Sequence, residues 1–308
     1  MKNNFFNTPS DNSKIKIALT VNYFKNWLSE NKNEQSLSYI DFFSGPGTYE
    51  TGYKSTPILI MEEILKHPKI AQKFNIILND KNKEYIEKLS KSVVGIQNLK
   101  LLKSITFSNQ SIGKDKQEIN LINSANFIIL DPFGFKGIHL KDIIYYLKSK
   151  KTTIILTFNF NQLYRFFMFK GINLHLKRLF QLSSLAFTRL KLKYIQDKEG
   201  YLMHLICKKL PPNISVKSFR FRFEDQTKTS HFLLFLTNQE KSNFALDRLI
   251  KKYSICSDCS CYSKSCLNNL IKEKQIKFCK IKPQKASFLK QYLLYLIGTK
   301  GLKYAFTH

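Results

Sequence analysis

The stretch YIDFFSGPGTY, residues 39–49, decides the fold. Tyr39–Phe43 is a short apolar run, and it ends just before Gly45-Pro46-Gly47. An apolar run that stops at paired glycines reads as a buried strand followed by a tight loop, because glycine lets the backbone turn sharply and approach a neighbour closely. The preceding segment, Lys14–Asn31, places Ile17, Val21, Phe24 and Leu28 at helical spacing. The loop is therefore expected to sit between a helix that enters the domain and further structure downstream.

Outward from this loop, strand and helix signals alternate. Pro57–Lys66 reads as a helix, Phe74–Leu78 (FNIIL) as a buried strand ending at Asn79-Asp80, and Lys83–Ser92 as a helix. Leu99–Phe107 and Asn126–Leu130 (NFIIL) read as the next strands, the latter ending at Asp131-Pro132. Leu140–Leu147 reads as a helix and Thr152–Phe158 as a fifth strand. Such alternation implies an α/β fold: a parallel, Rossmann-like sheet with helices on both faces. Ligands in these sheets bind beyond the carboxyl ends of the strands. The polar strand ends here (Asp41–Gly47, Asp80, Asn109, Asp131–Gly134 and Asn159) are expected to meet on one rim.

The rest of the chain divides by composition. Residues 1–13 read as a loose polar arm and 14–250 as the main domain. Within it, 160–215 reads as a helical, basic insertion able to cover the site. Phe219–Glu224 alternates as a strand with a largely basic polar face, and His231–Thr237 is its expected partner. A strand pair at the end of a parallel sheet is common in methyltransferase-like folds. Residues 251–308 form a Cys- and Lys-rich extension.

Fifty Lys and Arg face 22 Asp and Glu, a formal charge of +28. A field of that sign attracts polyanions, so RNA or DNA is the expected partner. Only six of the fifty are Arg, and a Lys-, Asn- and Ile-heavy chain also arises from compositional drift without any partner. The candidate contacts are Arg165, Lys170, Lys177, Arg178, Arg189, Arg220 and Arg222. No apolar run reaches the roughly 18–20 residues that span a bilayer, and the first residues lack the apolar core of a signal peptide. A cytoplasmic protein without membrane contact is expected, with its six cysteines reduced or bound to metal.

The motifs point to a cofactor. Asp41, Gly45 and Gly47 match the acidic-x-x-x-Gly-x-Gly pattern of sites for S-adenosylmethionine (SAM), with Phe43, Ser44 and Pro46 in the same loop. Asp80 can accept ribose hydroxyls, as the acidic residue of dinucleotide folds does, or it can serve as a helix N-cap. Asn109 can meet an adenine edge or lie in a surface loop. Asp131-Pro132-Phe133-Gly134 resembles the Asp/Asn-Pro-Pro-aromatic motif of amino-methyltransferases. There Asp131 and the Pro132 carbonyl would accept amine hydrogens while Phe133 stacks on a base, so that positioning does most of the work. A tight turn closing the strand is the plainer alternative. Cys256, Cys259, Cys261 and Cys266 are spaced C-x2-C-x-C-x4-C. That cluster suits a metal such as zinc, with reduced surface thiols or disulfides as the other readings; standard zinc and iron–sulfur spacings are not met in full.

Taken in order, Trp27, YIDFFSGPGTY, KSTPILI, ILNDKN, ILDPFGFKGI and HFLLFLTNQ resemble the three-Cys-motif partner proteins (TcmP), over about residues 14–250. The resemblance implies a methyltransferase-like fold, SAM as ligand, and a separate partner protein that carries a three-cysteine motif. Thr56 stands where that family usually has Ser, and the cysteine-rich extension lies outside the matched region. Together these readings give a SAM-dependent methyltransferase acting on an amine of a nucleic acid or modified base. Two alternatives stand beside it: a non-catalytic module that binds nucleic acid and a partner, and a protein or small-molecule methyltransferase.

Overall fold

A computed structural model describes residues 6–112, 123–134, 137–149, 151–168, 174–182, 188, 192–223, 229–239, 242–254 and 261–262. The chain enters through α1 (Asp11–Asn31). Its first turn is capped by Ser10, whose Oγ accepts the Ser13 N–H at 3.1 Å, and Asp11 suits the positive helix end. The helix thus starts earlier than the apolar stripe suggested, because the cap lies in the polar arm.

The elements that follow are β1 (Leu37–Asp41), α2 (Thr56–Leu65), α3 (Pro68–Ala71), β2 (Phe74–Asn79), α4 (Lys83–Val94) and β3 (Ser104–Ser108). After them come β4 (Ala125–Leu130), α5 (Leu140–Leu147), β5 (Lys151–Phe158), α6 (Phe160–Met168) and α7 (Leu174–Phe180). The described chain closes with α8 (Lys198–Cys207), β6 (Ser215–Arg222), β7 (Thr229–Thr237), α9 (Ser242–Tyr253) and the two-residue β8 (Cys261–Tyr262).

All eight strands belong to one sheet, ordered β3-β2-β1-β4-β5-β7-β6-β8. The first five are parallel, and β7 runs antiparallel to both β5 and β6. This is the parallel, Rossmann-like α/β sheet expected from the sequence, with the expected antiparallel pair β6–β7 beyond β5. The central strands β1, β4 and β5 are buried almost throughout because both faces of the sheet are covered there. Along β1, Leu37 and Tyr39 point to one core and Ile40 to the other. Along β4, Phe127 and Ile129 oppose Ile128 and Leu130 in the same way.

The first core gathers aromatics from α1 and the strands. Phe24 and Trp27 stack with centroids 5.6 Å apart, and Phe127 meets Phe24 edge-on at 5.0 Å. The second core lies under α5 to α8, where Leu163, Phe167, Leu176, Phe180 and Leu202 are fully buried. The described helices of the basic 160–215 segment are therefore a packed layer of the domain. Their exposed sides carry the charge, with Arg165, Lys177 and Arg178 facing out.

A second boundary differs from the sequence reading. Residues Leu99–Leu101 form a 3-10 turn, and the third strand starts only at Ser104. Asn98 takes a left-handed conformation (φ 64°), which asparagine tolerates and which breaks an extended run. The strand at this edge is also short and half-exposed, so an apolar sequence was not required to build it.

Candidate functional site

The strand order reverses between β1 and β4, so their carboxyl ends flank the switch point where ligands bind in such sheets. Asp41 ends β1 and pairs in register with Ile129. Asp131 follows β4 directly. Strands from distant parts of the chain thus carry two carboxylates to the wall of one cavity of about 320 Å³. Phe6, Lys16, Phe43, Tyr49, Phe133 and His231 also line it.

The glycine loop is held from below. Asp41 Oδ1 accepts the Phe43 N–H at 3.0 Å, the Asn79 carbonyl accepts the Ser44 N–H at 2.9 Å, and Asp80 Oδ2 accepts the Gly45 N–H at 3.1 Å. Ser44 Oγ donates to the Asn79 carbonyl as well. Gly45 (φ 62°) and Gly47 (φ 85°) adopt backbone conformations that favour glycine. A Cβ on Gly47 would meet Leu89 Cδ1 at 2.7 Å, so α4 packs against the bare backbone there.

Asp80 has a different place from Asp41. Its second oxygen accepts the Asn82 N–H at 2.9 Å, while Asn82 itself caps α4 by accepting the Glu84 N–H. Asp80 is buried beneath the loop and does not line the cavity. Asn109 donates to the Asp80 carbonyl at 2.8 Å and lies behind the same support. Of the residues singled out for a cofactor, Asp41, Phe43, Ser44 and Gly45 line the cavity, while Pro46 and Gly47 shape the turn.

On the opposite side, Asp131, Pro132 and Phe133 line the cavity, and Phe133 is 57% exposed. Gly134 lets α6 come close, since a Cβ there would lie 2.8 Å from Gln162 Oε1. Asp131 is bound by a residue that sequence reading missed: Lys16 Nζ donates to Asp131 Oδ2 at 2.5 Å. Lys16 is one of many lysines, and nothing local marks it; only the packing of α1 over the switch point does. His231 and Ser230, at the start of β7, were missed for the same reason. Their Nδ1 and Oγ lie 3.0 Å apart, and the imidazole stacks on Phe221.

These surroundings separate the carboxylates. Burial pushes the Asp41 carboxyl up to about 7, and the charges of Asp131 and Asp80 push the same way against the Phe43 and Tyr39 hydrogen bonds. Burial would also raise Asp131, but the Lys16 ammonium beside it, as charge and as donor, holds it below the usual carboxylate range. Burial, then the Lys16 charge, lowers His231 to about 3 despite Asp131, leaving a neutral imidazole near neutrality. Asp80 is raised by burial.

The basic candidates do not converge equally. Arg222 lies near the site, since its carbonyl accepts Asn12 Nδ2 at 3.3 Å and Asn12 lines the cavity. Arg220 is engaged inside the molecule, paired with Glu199 at 3.2 Å and lying over the Phe232 ring. Lys170 and Arg189 lie outside the described residues, as do Cys256, Cys259 and Cys266. Cys261 belongs to β8, whose backbone pairs with β6 at the sheet edge. Among the described residues no group of three or more His, Cys, Asp or Glu gathers to hold a metal, so zinc gains no support. Among them, too, no helix is long and apolar enough to cross a membrane.

No family model matches the chain, and no curated protein matches it. Solved structures do resemble it in arrangement. One is the plantazolicin methyltransferase BpumL in complex with SAH, at TM-score 0.39 and 13% identity, over 73% of this chain and 84% of that one. Another is the small RNA methyltransferase HEN1, at TM-score 0.38 and 13% identity, over 79% of this chain and 27% of that one. A third is the N-terminal domain of human METTL16, at TM-score 0.36 and 11% identity, over 75% and 71%. At such identities the likeness is one of strand and helix arrangement, and the chemistry of the cavity rests on its own residues.

Proposed function

We propose that the chain is a SAM-dependent methyltransferase acting on an amine of a nucleic acid or modified base. The observation that carries this reading is the character of the switch-point cavity. Dinucleotide folds hold pyrophosphate with free loop amides at a helix N-terminus. Here the amides of Phe43, Ser44 and Gly45 are turned into the protein, and α2 begins only at Thr56. In place of free loop amides the cavity offers Asp41, Asp131 with its Lys16 partner, and the rings of Phe43, Tyr49 and Phe133. Carboxylates and aromatic faces favour a cation, and the sulfonium of SAM is one.

The residues present fit that cofactor. Asp41 and the Phe43–Gly47 loop would hold it, and SAM supplies an electrophilic methyl group when bound. On the facing wall, the Asp131 carboxylate and the Pro132 carbonyl are suited to accept the hydrogens of an amine. Lys16 keeps Asp131 ionised and so able to accept. Phe133 offers an exposed ring on which a base can stack. The charge of +28 supports a polyanionic target, and the exposed Arg165, Lys177 and Arg178 supply positive surface.

The same motifs support a place near the three-Cys-motif partner proteins, because the Gly-Pro-Gly loop and the Asp-Pro-Phe-Gly turn face one cavity. A separate protein with a three-cysteine motif is then the expected partner. Isothermal titration with SAM and S-adenosylhomocysteine tests the central reading. Saturable binding supports it, and no heat at millimolar ligand would sink it.

A further inference from the structure

Phe6 precedes α1 in the arm, yet its ring joins both sides of the cavity. It meets Tyr85 edge-on with centroids 5.1 Å apart, Tyr49 at 5.8 Å, and Phe133 at 5.7 Å and 87°. It also presses on the glycine loop, since a Cβ on Gly45 would lie 3.0 Å from Phe6 Cζ. One ring therefore touches the loop on the cofactor side and the exposed aromatic on the target side.

The described backbone attachment of this span is local. The Phe6 carbonyl accepts the Glu50 N–H at 2.9 Å, and the Asn7 carbonyl accepts the Thr51 N–H at 3.2 Å. Asn7 and Thr8 are exposed, whereas Pro9 is buried and Ser10 caps α1, so the arm has a fixed base and a short exposed span. Segments closed by a few exposed hydrogen bonds open far more often than the whole protein unfolds.

We propose that Phe6 is an aromatic latch over the cavity, which swings out to admit the cofactor and closes again over it. The proposal rests on the reading of this cavity as a SAM site. A ligand that lies on the bare face of Gly45 competes with the ring for that space. The ring must therefore leave for entry, and its return bridges the loop to Phe133. Closure of this kind excludes water and links cofactor occupancy to the target-facing wall.

The test compares the full chain with Phe6→Ala and Phe6→Leu, using stopped-flow binding of S-adenosylhomocysteine and hydrogen exchange of the Glu50 and Thr51 amides. Phe6→Ala should speed both association and dissociation, by roughly tenfold, because association slows where binding requires a conformational change. Phe6→Leu should fall between. The two amides should exchange faster in Phe6→Ala without ligand, and more slowly in the wild type once ligand is bound. If the wild type binds and Phe6→Ala leaves both rates unchanged, the latch is wrong while the cofactor reading stands. If the wild type binds neither SAM nor S-adenosylhomocysteine, the cofactor reading fails. The latch, defined by that cofactor, is then overturned with it.

Discussion

Lys16 Nζ sits 2.5 Å from Asp131 Oδ2, joining residues 115 positions apart in the chain. Both side chains are partly buried, at 18% and 32% exposure. The pair ties α1 to the end of β4 and fixes the charge of the carboxylate that faces the cavity. Replacing Lys16 by Met keeps the stem but strands the carboxylate. The expected loss is about 1–3 kcal/mol, between the values for surface and buried pairs, read from urea unfolding.

The pH dependence of that loss has a definite sign. The folded state lowers the Asp131 pKa, so its contribution is complete above the ordinary carboxylate value and fades as pH falls through the folded one. Lys16→Met should therefore lose most above that range and converge on the wild type in acid. Melting temperatures that differ equally at every pH would contradict the pairing.

Asp41 behaves in the opposite way. Its folded pKa is raised to about 7, so the folded state holds a proton that the unfolded state has released. Stability relative to Asp41→Asn should fall as pH rises from about 4 to about 7 and then level off. SAM affinity should rise across the same upper limb, because an ionised Asp41 favours a cation. Calorimetry in buffers of different ionisation heat would report release of a proton on binding below pH 7.

Two glycines separate backbone strain from packing. Gly52 has φ 79° and open space where a Cβ would lie, so Gly52→Ala should cost about 1–2 kcal/mol from the left-handed backbone alone. Gly47→Ala carries the same kind of strain and adds a 2.7 Å approach to Leu89 Cδ1. It should be the more damaging change in thermal unfolding, and Leu89→Ala should relieve part of that added clash.

Phe133 should matter for binding more than for folding. The residue is 57% exposed, so Phe133→Ala should shift the melting temperature little. If a base stacks there, affinity for single-stranded RNA or DNA should fall by about 1–3 kcal/mol, measured by fluorescence anisotropy. The slope of log affinity against log salt should stay unchanged, because no charge is removed. Arg165→Glu and Lys177→Glu should instead reduce that slope.

Much of the fold was legible because its signals are local. Leu37–Asp41, Phe74–Asn79 and Ala125–Leu130 are mainly apolar runs of strand length, and each ends at or just before a polar residue. The third strand was less legible. An edge strand with exposed residues needs no apolar pattern, and the left-handed Asn98 leaves no mark in hydropathy. In the cavity, Asp41 and Asp131 could be read from their places at strand ends. Lys16, His231 and Phe6 could not, since each arrives through packing between distant segments.

The sequence by itself determined the alternation of strands and helices, the glycine turn at residues 45–47 and the acidic ends of β1 and β4. Periodicity and backbone freedom act over a few residues and are written there. Only the tertiary structure decided that the loop amides face inward, that Asp80 supports the loop from below and that Lys16 holds Asp131. Those outcomes depend on which surfaces meet when the sheet closes around its two cores, and burial, charge pairing and ring contacts exist only after that meeting.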